Sequence, residues 1–178
     1  MIIQPRLRNA AEISGWSSGA LCSVRLVTTT RAGEHPVPLT ALFRMPVHDT
    51  AADNMSRGGI ASKVDIESGR LSPARAYRIP DLIRRVEYER HPATGTPISG
   101  ALLPRWDEVI QLGVRAHCSF DGYHSIGWDI AICEDGPLLI EGNHDWGARI
   151  VQMQGPAPLG WTRLPDDIRS CFENHEEG

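Results

Sequence analysis

Lysine is nearly missing from this sequence of 178 residues: of 18 basic side chains only Lys63 is a lysine, and the rest are arginine. Arginine's planar fork suits carboxylates and phosphates, although a compositional bias of the gene produces the same pattern. Cysteine is scarce as well. Cys22, Cys118, Cys133 and Cys171 include no C-x-x-C pair, so free thiols are expected and no disulfide framework is. No apolar run approaches the roughly 18 residues of a membrane span, and the opening residues "MIIQPRLRN" lack the apolar core of about 7–15 residues that a signal peptide needs. A cytoplasmic protein is expected. Positive charge is not in excess, with 18 Lys and Arg against 22 Asp and Glu and a net charge of -4, which argues against nucleic acid as a partner.

What is present describes an ordinary folded domain. A hydrophobic fraction of 41% and a charged fraction of 22% are typical. A chain of this length suits one domain or two small lobes and buries roughly 70% of the surface its unfolded form exposes. The first part reads mainly as β structure: a short run Ile2-Ile3-Gln4 broken at Pro5, then "ALCSVRLVTTT" with Arg25 at its centre, then "PVPLTALFRMP" as its antiparallel neighbour carrying Arg44. "IASKVDIESGRL" suggests a hairpin around Glu67-Ser68-Gly69. Trp106, Val109, Ile110, Gly113, Val114 and His117 recur at helical spacing after Pro104, which predicts one amphipathic helix over 104–118. The tail over 155–178 is punctuated by Pro and Gly and has room for one short helix.

Between Gly127 and Gly147 two strand-like runs flank Glu134-Asp135-Gly136, yet they carry Asp129, Glu141 and Asn143. Register decides which of these side chains meet. A three-residue loop over 134–136, with Gly136 left-handed, pairs Cys133 with Pro137 and sets Asp129 opposite Glu141 on one face. A two-residue loop of Asp135-Gly136 sets Asp129 opposite Gly142 and turns Glu141 away. Only the first puts Asn143 on the same face as both acids. Paired carboxylates repel unless a cation or a shared proton compensates, and two carboxylates with an amide oxygen suit Mg²⁺ or Mn²⁺ better than Zn²⁺. A solvated acidic hairpin face is the alternative.

The run "IGWDIAICEDGPLLIEGN", with Asp-x₁₁-Glu-x-Asn, resembles the C-terminal signature of ATP-grasp enzymes, in the sugar-transfer-associated branch related to α-L-glutamate ligases. The resemblance extends through "IIQPRLRN", "VRLVT", "FRMP", "DNMSRGGIASKVDIESGRL" and "HPATGTPISGALLPRW", roughly residues 2 to 147. It implies an α+β fold: the C-terminal lobe of an ATP-grasp protein over 1–154, an antiparallel β-sheet with flanking helices, followed by the tail over 155–178. It also implies ATP and Mg²⁺ (or Mn²⁺) as cofactors, with Asp129, Glu141 and Asn143 as metal ligands, Arg25 as the catalytic arginine on the phosphate or acyl phosphate, and the backbone at Ile3 and Gln4 against adenine.

Several weaker candidates remain. Asn54, Arg57, Gly58 and Gly59 suit either a loop closing on substrate or a plain hairpin turn, and His144 suits either the acceptor site or a cap. His117, on the apolar face of its helix, reads as a core histidine. The family's N-terminal lobe, with its lysines and glycine-rich flap, has no counterpart in the sequence, so the chain is expected to be a partial ligase, with a separate polypeptide as one candidate source of the missing lobe. The expected activity is carboxylate–amine ligation through an acyl phosphate, acting on a small-molecule carboxylate and a nucleophilic acceptor. The alternative is an inactive ATP-grasp remnant that binds a partner.

Overall fold

The computed structural model describes residues 6–31, 33–47, 59–76, 86–154 and 158–173. Its centre is a seven-stranded sheet built from β1 (Ser23–Thr29), β2 (Val37–Met45), β3 (Ile60–Val64), β4 (Ala74–Ala76), β5 (Glu87–Tyr88), β6 (Ser125–Cys133) and β7 (Gly136–Asn143). Their order is β5-β4-β3-β2-β1-β6-β7, and every neighbouring pair is antiparallel. Among the described residues three α-helices accompany it: α1 (Trp106–His117), α2 (Ala148–Gln154) and α3 (Leu164–Glu173). None of the helices among the described residues is long and apolar enough to cross a membrane. The expected α+β class with an antiparallel sheet is what forms.

Alternation along the strands sorts the sheet into two faces. On one, Val24, Leu26, Phe43, Ile60, Trp128 and Ile130 are buried in the main core beneath α1. The sequence-predicted helix is present but starts at Trp106 instead of Pro104, because Arg105 adopts the left-handed conformation (φ 55°) and breaks the helix there. Asp107 and Glu108 in its first turn and Arg115 in its last complement the helix dipole. Gly113 sets how closely α1 approaches β1, since a Cβ there would lie 2.6 Å from Leu26 Cδ2.

His117 closes this layer. Its Nε2–H donates to the Tyr123 carbonyl, which fixes the tautomer, and its Nδ1 lies 2.7 Å from the Thr28 hydroxyl, which in turn accepts from Trp128 Nε1. Both ring nitrogens are satisfied and the residue is buried, so it is a core histidine.

Among the described residues, the opposite face is covered only in part. Val27 and Leu42 of the sheet meet Trp146, Val151, Leu159 and Leu164 in a second, smaller apolar cluster. The segment from Trp146 through α2 and α3 thus lies over the middle of this face. Its far end is tied down by Asp167, fully buried between Arg31 Nε and Arg163 Nε at 2.7 Å each.

The β6–β7 hairpin departs from the expected three-residue loop. Cys133 pairs with Gly136, so the loop has two residues, Glu134 and Asp135. Extended at that register, Asp129 would miss Glu141. The register shifts between Asp129 and Ile130, where Ile140 is the extra residue on β7, and this bulge restores the pair Asp129–Glu141 and, beyond it, Gly127–Asn143. The expected pairing forms by a different route.

Candidate functional site

Register brings the polar residues together on the less-covered face. Arg25 of β1 stands opposite Asp129 of β6, and Asp129 stands opposite Glu141 of β7, so one row across adjacent strands reads Arg25–Asp129–Glu141. The next row toward the β2–β3 connection holds Arg44 opposite Ser23, followed outward by Ala61 and Arg75. The row on the other side holds Gly127 and Asn143.

Asp129 is the hub. Its carboxylate accepts from Arg25 Nε and, at 2.8 Å, from Arg25 Nη2, while Arg44 Nη2 reaches Oδ2 at 2.5 Å. The side chains of Arg25, Arg44 and Asp129 are only 15%, 13% and 6% exposed, so these charges interact with little water between them. Burial alone pushes the Asp129 carboxyl up, but the bond from Arg25 and the charges of Arg44 and Arg25 outweigh it and hold the group below the ordinary carboxylate value. Asp129 is therefore ionised across the physiological range.

The surroundings aim these groups. Arg44 Nε donates to Ser23 Oγ at 3.1 Å. Arg25 Nη1 donates to the Trp146 carbonyl at 2.9 Å, which ties its guanidinium to the start of the covering segment. Trp146 can lie there because position 127 is glycine: a Cβ at Gly127 would come within 2.2 Å of Trp146 Cβ. Farther along the face, Arg75 donates to Glu87 Oε1 at 2.8 Å and to the Gln154 carbonyl, at the end of α2, at 2.9 Å.

Glu141 and Asn143 sit at the rim of the cluster. Asn143 Nδ2 donates to Glu141 Oε1 at 3.1 Å, leaving the second carboxylate oxygen and the amide oxygen available. In kind, two carboxylates and an amide oxygen suit Mg²⁺, which takes one or two protein carboxylates and completes its octahedron with water and phosphate oxygens. In state, Asp129 already accepts three guanidinium bonds, which leaves about one of its four lone-pair positions. Among the described residues no group of three or more His, Cys, Asp or Glu side chains could hold a metal ion. Any hard cation here depends on Glu141 and the Asn143 amide first, and reaches Asp129 in competition with the two arginines.

The other expected site residues are more scattered. Gly59 is buried immediately before β3, beside the end of β2 that carries Arg44. His144 is exposed in the turn after β7. Ile3, Gln4, Asn54 and Gly58 lie outside the described residues. Arg44 is the residue that reading the sequence missed: the arginine was visible in the second strand, but its contact with Asp129 is made across the intervening β1. A separate cavity of about 520 Å³ opens at the far end of β1, lined by Thr30, His35, Phe120, Tyr123 and His124 among others, and includes none of this cluster.

The site is thus a buried Arg–Asp–Arg cluster on an antiparallel sheet, with oxygen donors at its rim. The chain belongs to the sugar-transfer associated ATP-grasp family, whose match spans residues 1–161. Membership carries with it a general ATP-grasp, ATP-dependent ligase type of function. No curated protein matches the chain, and no solved structure does.

Proposed function

We propose that this sheet is the C-terminal lobe of an ATP- and Mg²⁺-dependent carboxylate–amine ligase, with ATP phosphates lying over Arg25, Arg44, Asp129 and Glu141. The observation that carries the reading is the single row Arg25–Asp129–Glu141, with Arg44 joined to it, on one partly open face. A carboxylate oxygen of the substrate attacks the γ-phosphorus, the bond to the β-phosphate oxygen breaks, and ADP leaves with those electrons. An amine nitrogen then attacks the acyl carbon, the carbon–oxygen bond to phosphate breaks, and the amine loses a proton. Magnesium, when bound, would neutralise charge between the β- and γ-phosphates, held by Glu141, Asn143 and Asp129.

The protein's share is mostly positioning and electrostatics. Arg25 and Arg44 present planar forks to the transferring phosphoryl oxygens. Low exposure keeps these charges effective, and the Trp146 carbonyl holds Arg25 in place. A small-molecule carboxylate, its nucleophile, and a second lobe that closes over the nucleotide complete the proposal. The test is Mn²⁺ binding to the chain, followed by electron paramagnetic resonance. Asp129→Asn combined with Glu141→Gln abolishes it, and unchanged affinity in that double variant would sink the site.

A second reading is favoured by the state of Asp129, whose oxygens are both engaged by guanidinium groups. In it, the chain is an ATP-grasp module that binds a partner and does not turn ATP over. Metal-dependent release of ADP from ATP rejects this reading.

A further inference from the structure

The state of Asp129 also bears on how a metal and a nucleotide enter the proposed site. We infer that Arg25 and Arg44 serve as an internal counter-cation for Asp129 with which a divalent metal competes, so that metal entry loosens the guanidinium bonds and turns the arginines toward the incoming phosphate. The inference rests on the proposed function's assignment of Asp129 and Glu141 to the metal.

Three observations support it. Asp129 receives three guanidinium bonds and keeps about one lone-pair position, so a cation that ligates it competes with both arginines for the carboxylate. Arg25 and Arg44 are each bonded to a second group as well, the Trp146 carbonyl and Ser23 Oγ, so a released guanidinium pivots on that bond and stays at the site. Finally, the charges of Arg25 and Arg44 against those of Asp129 and Glu141 cancel. A divalent cation added to this set leaves an excess of positive charge that only an anion relieves. Metal and phosphate are thereby coupled through the arginine pair: without the anion, the arginines compete with the metal for Asp129. With it, they move onto the phosphate and the competition ends. Coupling of this kind is reciprocal for the two ligands.

The discriminating experiment measures Mn²⁺ affinity of the full chain without nucleotide. Arg44→Gln removes one competitor and tightens Mn²⁺ binding by about five- to tenfold, within the usual span of coupling between two sites. Arg44→Lys, which keeps the charge, stays close to the wild type. Glu141→Gln serves as the reference for the metal site itself: if it leaves Mn²⁺ binding unchanged, the proposed metal site fails. If it weakens binding while Arg44→Gln leaves binding unchanged or weaker, the site stands and the counter-cation inference is overturned. A measurement on the unmodified chain guards against misfolded variants. Adding Mg²⁺ shifts the Nε–H magnetic resonance signals of Arg25 and Arg44 as the carboxylate is surrendered, and signals that stay fixed while Glu141 responds overturn the inference.

Discussion

The two faces of the sheet are made by the same strands, one residue out of step, and they obey opposite rules. In β2 the neighbours Phe43 and Arg44 point to opposite sides: Phe43 is fully buried with its ring edge-on to Trp16 at 5.6 Å, while Arg44 reaches across β1 to Asp129. In β6 the same holds for Trp128 and Asp129, the first in the core beneath α1 and the second in the arginine cluster. The core face is held by packing that tolerates no void. The other is held by charges that balance only as a set, and its apolar cover among the described residues centres on Val27, Leu39 and Leu42. A fold can place reactive charge in the middle of a sheet because the opposite face supplies the burial.

The largest difference between the faces is in stability. Phe43→Ala leaves a cavity beside Trp16 and costs about 3–5 kcal/mol, measured as a shift in the urea unfolding midpoint. Arg44→Gln, one residue along, leaves Asp129 bonded by Arg25 and costs about 2 kcal/mol or less. If the arginine substitution proved the costlier of the two, the division of labour between the faces would be wrong.

A second difference is in pH response. Burial pushes the His117 imidazole below its ordinary value of 6.5, partly offset by the Tyr123 carbonyl, and burial does the same to His91. As pH falls below that value the unfolded chain takes up protons that the folded chain resists, so the core loses stability there. Asp129 and Asp167 behave at a lower window. Burial raises each, arginine bonds outweigh it, and both are held below 3.8. Their contribution is complete above that pH and is lost only as pH falls through the depressed folded values. Denaturant unfolding at a series of pH values is expected to decline in two separate stages, and His117→Gln reduces the first stage alone. A single decline confined to strongly acid pH would mean the core histidines contribute nothing.

Much of this contrast was legible from the residues. The alternation of apolar and polar residues in "SVRLVTT" and "LTALFRM", the helical spacing behind Trp106, and the acids in otherwise apolar runs all point to elements that form. The Asp129–Glu141 pair was visible too, but the route to it was not. Loops one residue apart share the same Glu-Asp-Gly sequence, and a bulge at Ile140 carries no local signature. Arg44 was hidden for another reason. Its partner lies two strands away, and such a contact needs the order of strands in the sheet, which pairwise alternation does not supply. The covering helix α2 was missed because Ile150 and Val151 are too few to show a period; their packing partners, Val27 and Leu42, come from far earlier in the chain.

The smallest expected effect tests how far the charge-balanced set extends into the covering segment. Asp166 and Asp167 are adjacent in the first turn of α3, yet only Asp167 is buried, holding Arg31 and Arg163. Asp166 pairs with Arg169 at 3.1 Å, with side chains 62% and 66% exposed, so solvent screens the attraction and ordering two mobile side chains offsets most of it. Arg169→Ala should therefore change the unfolding free energy by no more than about 0.5 kcal/mol. Asp167→Asn, which removes the charge from a fully buried site facing two guanidiniums, should cost several times more. Equal losses from the two substitutions would show that the outer surface of α3 also carries structural charge and that the balanced set does not end at Asp167.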